Sequence, residues 1–236
     1  MQAQTQQSNT DTRFLRNKDL IPQEKLDDVT VIGLGGIGST VVSLLAIMGF
    51  DSILGYDDDI LEEHNLSTCI YPHKYIGKSK AFAAQKLMEE YACLSVGICE
   101  ERRWTYRDGV FKNMIICPDN MEVRRDVYDK WVNQRDRGFL IDLRMDALAM
   151  EIIVVTKEHD FFDETWLPSA EIEDAPCTMK HTIFTSSIVA GFGVNQVFNV
   201  LANKPYYAYT WIGLMPFTRK TEHLIKQRGT NDSSNS

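Results

Sequence analysis

Apolar positions along this 236-residue chain switch repeatedly between a strand-like and a helix-like spacing. Val29, Val31 and Ile32 make a short aliphatic run that ends in Gly33, Gly35, Gly36 and Gly38, and Ile37, Val41, Leu44, Leu45 and Met48 then recur at helical intervals. The segment therefore reads as strand, tight turn and helix, with Gly49 placed to end the helix. Ser52 to Tyr56 predicts a second strand. Ala84, Leu87 and Met88 share one face of a helix over Ala81 to Tyr91, and a third strand is expected around Val96 to Cys99. Met114 to Cys117 is fully apolar and precedes a helix carrying Val123, Val127 and Trp131. Strands alternating with helices in this way predict a parallel sheet covered on both faces.

The alternation then breaks. Phe139 to Leu143 and Ala149 to Thr156 are strand-like with no helix between them, so they predict a hairpin that extends the sheet antiparallel. A long helix over Thr182 to Asn203 and a strand over Tyr206 to Leu214 follow. The expected fold class is α/β, a Rossmann-like doubly wound, mostly parallel sheet with an antiparallel extension and flanking helices. One domain over residues 13–217 accommodates these elements, between a flexible polar arm, residues 1–12, and a disordered polar tail, residues 218–236. Thr10 to Asp27 is compatible with a short helix stopped near Pro22, and Ile60 to Lys80 reads as a long ordered loop.

Charge and cysteine usage narrow the setting. Thirty-three acidic against 25 basic residues give a net charge of −8, which argues against nucleic acid or an anionic membrane as partner. Asn195, Gln196 and Asn199 interrupt the most apolar stretch, so it reads as a core helix and not a membrane span. Cys69, Cys93, Cys99, Cys117 and Cys177 are odd in number and lack CxxC spacing, consistent with a reducing cytoplasm. His159 has no metal-ligand partner at a suitable spacing and reads as a surface residue.

The glycine turn is where chemistry enters. Gly33 permits the sharp turn, Gly35 lets backbone approach a phosphoryl oxygen, and Gly38 lets the helix pack closely on the strand, while the helix N-terminus offers N–H groups to an anion. Asp57, about twenty residues beyond the turn at a strand end, is placed to accept hydrogen bonds from a ribose. Asp119 follows the Met114–Cys117 strand at the same edge of the sheet, where it is either a helix cap or a ligand-binding acid. Asp142, Arg144 and Asp146 read as a solvated hairpin join.

Several motifs occur in an order that resembles the ThiF, MoeB and HesA group of adenylating enzymes, relatives of the ubiquitin-activating enzymes. They are RFLRN before the first strand, GLGGIGS at the turn, YDDDILEEHNLS after the second strand, IGKSKA, and CPDNMEVR, and together they span roughly Arg13 to Ala202. The resemblance implies ATP-dependent activation of the C-terminal carboxylate of a ubiquitin-like protein or peptide, with Mg²⁺, by a homodimer. Carried over by motif, Asp57 would hold the ribose, with Asp59 beside it in the same acidic motif. Asn65 and Lys80 would contact phosphates, Asp119 would bind Mg²⁺ or orient pyrophosphate, and Arg16 would reach the partner subunit's triphosphate.

Two departures mark this chain. Thr68 and Cys69 stand where the family usually has Arg-Gln, leaving His73, Lys74 or Lys78 as substitutes for the lost cation, and no paired CxxC zinc site is present. Cys177, in APCTM, resembles the thioester-forming cysteine of the ubiquitin-activating branch, though related chains keep this crossover without forming a thioester. Two alternatives stay open: a non-catalytic nucleotide-binding partner subunit, and a nicotinamide-dependent oxidoreductase, which shares the glycine loop and ribose acid but leaves Asn65, Lys80 and Asp119 unexplained.

Overall fold

A computed structural model describes residues 12–92, 97–171 and 181–226. Its strands are β1 (Asp28–Ile32), β2 (Ser52–Tyr56), β3 (Gly97–Glu100), β4 (Met114–Ile116), β5 (Phe139–Asp146), β6 (Ala149–Thr156), β7 (Tyr206–Leu214) and β8 (Phe217–Ile225). They form one eight-stranded sheet in the order β3-β2-β1-β4-β5-β6-β7-β8. Pairing is parallel from β3 to β5 and antiparallel from β5 to β8. The doubly wound sheet with an antiparallel extension is thus the observed architecture, and the order reverses beside β1, between β2 and β4.

The helices are α1 (Gly36–Met48), α2 (Lys80–Ala92), α3 (Met121–Val132), a single turn α4 (Phe162–Thr165), and α5 (Ile183–Leu201). Buried residues of α1, α2 and α5 pack on one face of the sheet. Val127 and Trp131 of α3 and Phe162 of α4 pack on the other, against Met114, Ile116, Leu140 and Ile153. Withdrawing a side chain such as Phe162 from water contributes about 1.5–3 kcal/mol, so each layer has its own driving force. α5 is long and apolar enough to cross a bilayer, yet its Val189, Ala190, Gly193 and Val197 are buried, and it packs on α1 and β5.

Two segments differ from what their sequence predicts. Among the described residues before β1, Thr12 and Arg13 are helical and the chain then runs as turns to a 3₁₀ segment at Gln23–Lys25. Arg13 accounts for this path by donating to the carbonyls of Ala46, 2.8 Å, and Ala92, 2.9 Å, at the last turns of α1 and α2, where a cation is favoured. Of the expected disordered tail, residues 227–236 lie outside the described residues, and residues 218–225 belong to β8, paired with β7 from Leu214↔Phe217 to Tyr206↔Ile225. Its residues look like tail because β8 is an edge strand exposed on most of both sides.

Helix α1 meets β1 at backbone contact. Gly33 has φ +85°, and a Cβ on Gly38 would lie 1.9 Å from the Gly33 carbonyl oxygen. A backbone atom cannot yield as a side chain would. Gly38→Ala is therefore expected to destabilise the fold by about 2 kcal/mol or more, seen as a lower Tm in thermal denaturation; an unchanged Tm would refute this contact.

Candidate functional site

The carboxyl ends of β1, β2, β4 and β5 open into one cavity of about 750 Å³. Gly33, Gly35 and Gly36 line it, and the space above Gly35 is free of neighbouring atoms within 4 Å of a built Cβ. Gly35 is also the N-cap of α1 and brings no side chain to cap the helix, so the N–H groups of the first turn are left for an external acceptor. An anion is the natural complement.

Asp57 fastens this turn to β2. Its Oδ2 accepts from Leu34 N–H at 2.7 Å and its Oδ1 from Asp59 N–H at 2.9 Å. Burial raises the pKa of its carboxyl, against the opposing pull of these two N–H groups and of Lys80. Because the folded value is the higher one, the stabilising effect of a protonated Asp57 is lost as pH rises through it. Lys80 opens α2 with its side chain 10% exposed, and its Nζ lies 2.6 Å from Asp59 Oδ2. Burial alone would lower its pKa, but the bond to Asp59 and the charge of Asp57 outweigh that and raise it, so the ammonium stays charged.

Asn65 lies in the 3₁₀ segment Glu63–Ser67, where its Oδ1 accepts from Glu62 N–H at 2.9 Å. That leaves its amide N–H₂ as a donor, and the residue lines the cavity. Asn120, not Asp119, caps α3: its Oδ1 accepts from Val123 N–H at 2.9 Å. Asp119 is exposed on the wall of the cavity. The capping alternative for Asp119 is thus removed, and the residue lines the same cavity as Lys80.

Of the charged residues at the β5–β6 join, Asp146 is exposed as expected, but Asp142 and Arg144 are not solvated. Asp142 is fully buried in β5, ion-paired with Arg124 of α3 and, at 2.7 Å, with Arg144. Arg124 also donates to the carbonyls of Pro118 and, at 3.1 Å, Leu143; Arg144 donates to the Thr165 carbonyl at 2.6 Å. The network ties the residue before Asp119 to β5 and α4. Charged letters at a strand end read as a turn in one dimension; the partner that buries them comes from 18 residues upstream.

The lost family cation is not replaced by the expected residues. Thr68 Oγ1 turns back onto the Asn65 carbonyl at 3.1 Å, and its own carbonyl accepts from Ser186 at 3.1 Å. His73, Lys74 and Lys78 stand outside the cavity wall, with Lys74 held 2.8 Å from Glu90. Arg103, Trp104, Glu151 and Trp211 do line the cavity, and no motif marks them; strand order alone brings them there. Arg16 is exposed and lies outside the cavity wall of its own chain. Cys117 lines the cavity 3.2 Å from the Gly33 carbonyl oxygen, and burial pushes its thiol up to about 12, so it is a packing group and not a thiolate. Cys177 lies outside the described residues.

The model of the ThiF family matches residues 12–214. A stretch of 60 residues is 37% identical to ubiquitin-like modifier-activating enzyme 5 of Dictyostelium discoideum, a match that covers 25% of this chain and 16% of that protein. The matched stretch thus spans about a sixth of the length of that relative. Among solved structures, E. coli MccB with ATP superposes at a TM-score of 0.73 with 15% identity, covering 94% of this chain and 72% of MccB. PaaA superposes at 0.68 with 21% identity, covering 86% and 66%. At such identities these likenesses establish the fold.

Neutralising Asp142 leaves two buried guanidinium groups without their shared counter-ion. Asp142→Asn is expected to lose about 3–5 kcal/mol of stability in chemical denaturation, while a loss under about 1 kcal/mol would show that the network does not hold the site.

Proposed function

The chain belongs to the ThiF family, and from that premise we propose that it is an ATP-dependent adenylating enzyme acting on the C-terminal carboxylate of a ubiquitin-like protein or peptide. One observation carries this reading: the open glycine turn, Lys80, Asn65 and Asp119 face a single cavity that continues past Arg144 to Glu151 and Trp211. The first part suits a nucleoside triphosphate, and the second leaves room for an acceptor. MccB is known in complex with ATP and with MccA variants, so a fold of this kind accommodates both sorts of ligand in that protein.

In the proposed reaction an acceptor carboxylate oxygen attacks the α-phosphorus, the bond from that phosphorus to the bridging oxygen of the β-phosphate breaks, and pyrophosphate leaves with the electron pair. Two anions must be brought together, so the chain has to align them and offset their repulsion. The first turn of α1 and the Lys80 ammonium would hold phosphoryl oxygens, the Asn65 amide would donate to another, and Asp57 would accept from the ribose. Asp119, an exposed carboxylate among phosphate-binding groups, suits a hard cation with oxygen ligands. Bound there, Mg²⁺ would neutralise charge on the triphosphate. Arg124, through the Pro118 carbonyl, fixes the backbone that carries Asp119.

Arg16 is exposed on the segment before β1 and away from its own cavity, which supports a role across a homodimer interface. A second reading, a non-catalytic nucleotide-binding subunit, is favoured by one feature: Thr68 and its hydroxyl are turned into their own loop where the family places a cation.

ATP–pyrophosphate exchange with a library of peptides bearing free C-termini separates the two. Exchange is expected, and Asp119→Ala should reduce it about a hundredfold or more. Full exchange in that variant would sink the mechanism, and ATP binding without exchange for any acceptor would favour the non-catalytic subunit.

A further inference from the structure

The cavity has a wall that the reaction above leaves unused. Backbone hydrogen bonds step outward along the carboxyl edge of the sheet: Gly33 N–H donates to the Tyr56 carbonyl at 3.0 Å, and Asp57 N–H to the Glu100 carbonyl at 3.3 Å. With phosphates at the start of α1 and ribose at Asp57, the next step outward falls to the base of the nucleotide, against residues that follow β3. Trp104 and Tyr56, 3% and 7% exposed, form an apolar wall there with Ile32. Arg103 lines the same part of the cavity and is paired with Asp58, Nη2 to Oδ2, at 3.3 Å.

Arg103 differs from the other cations on the cavity wall. Lys80 is nearly buried against Asp59, and Arg124 and Arg144 are buried around Asp142. Moving any of these would strand a buried charge. The Arg103 and Asp58 side chains are instead 65% and 45% exposed, so water screens their attraction and can replace it when they part. A guanidinium is also planar and weakly hydrated, which favours stacking on an aromatic face over remaining at a long surface ion pair.

We propose that Arg103 is a clamp for the nucleotide base. On binding it leaves Asp58 and stacks on the purine, which is then held between the guanidinium and the wall of Tyr56 and Trp104. Asp58 holds the arm aside while the site is free. The clamp rests on the nucleotide reading above, and it adds affinity through the base and ribose end without touching the triphosphate.

Calorimetry with three probes, ATP, AMP and inorganic tripolyphosphate, tests it on the full chain. Arg103→Ala is expected to weaken ATP and AMP alike by about fivefold and to leave tripolyphosphate unchanged, since a stacking contact with a base is all that is removed. Arg103→Lys should recover only part of the loss, because an ammonium has no planar face. Asp58→Asn releases the arm and should tighten AMP by about twofold. Unchanged AMP affinity in Arg103→Ala would overturn the clamp while leaving the nucleotide reading intact. A loss shared by tripolyphosphate would overturn it too, by placing Arg103 on the phosphates. A wild-type chain that binds neither ATP nor AMP would overturn both.

Discussion

Everything in this molecule depends on how closely one helix can approach one strand. Gly38 sits so near the Gly33 carbonyl that no side chain fits between them, and Gly33 itself holds a φ that other residues resist. That contact sets the start of α1 at the carboxyl edge of the sheet. Asp57 then locks the loop from the other side by accepting the Leu34 N–H. A carboxylate already engaged with backbone is rigid, and so a ligand that bonds to it from the cavity meets a group that is already ordered.

The second constraint is electrostatic. Arg124, Asp142 and Arg144 would be expensive to bury singly; together they pair with one another, and the two arginines donate to four backbone carbonyls: Ile116, Pro118, Leu143 and Thr165. Such a network contributes less to stability than apolar packing of the same volume would, so its value lies in position. It links the ends of β4 and β5 with α4, the three pieces that frame the passage between the glycine-turn end of the cavity and Trp211.

How much of this could be read from the residues alone follows from the range of the interactions. Strands, helices and the glycine turn are written in local spacing, and β1 through α3 agree with it nearly residue for residue. Lys80, Asn65 and Asp119 were legible because a familiar order of motifs carries them. Asp142 and Arg144 were not, because a charged pair in a strand looks the same whether its partner is water or a buried guanidinium from another helix. Arg103 and Trp211 were invisible for a different reason: each reaches the cavity only because β3 and β7 take their places in the sheet. The Thr218 boundary was misplaced because an exposed strand and an unstructured tail have similar polar composition.

That last strand has a consequence for the molecule in a crowded solution. A large open sheet ends in a row of unpaired backbone groups that invites another chain to add a strand. Here the outermost strand carries Arg219, Lys220 and Glu222 beside Thr218 and Thr221, with Phe217 and Leu224 exposed at its two ends. A second strand laid against this edge would have to bring its own residues alongside charges that remain hydrated. The charges on the strand that ends the sheet therefore work against strand addition at that edge.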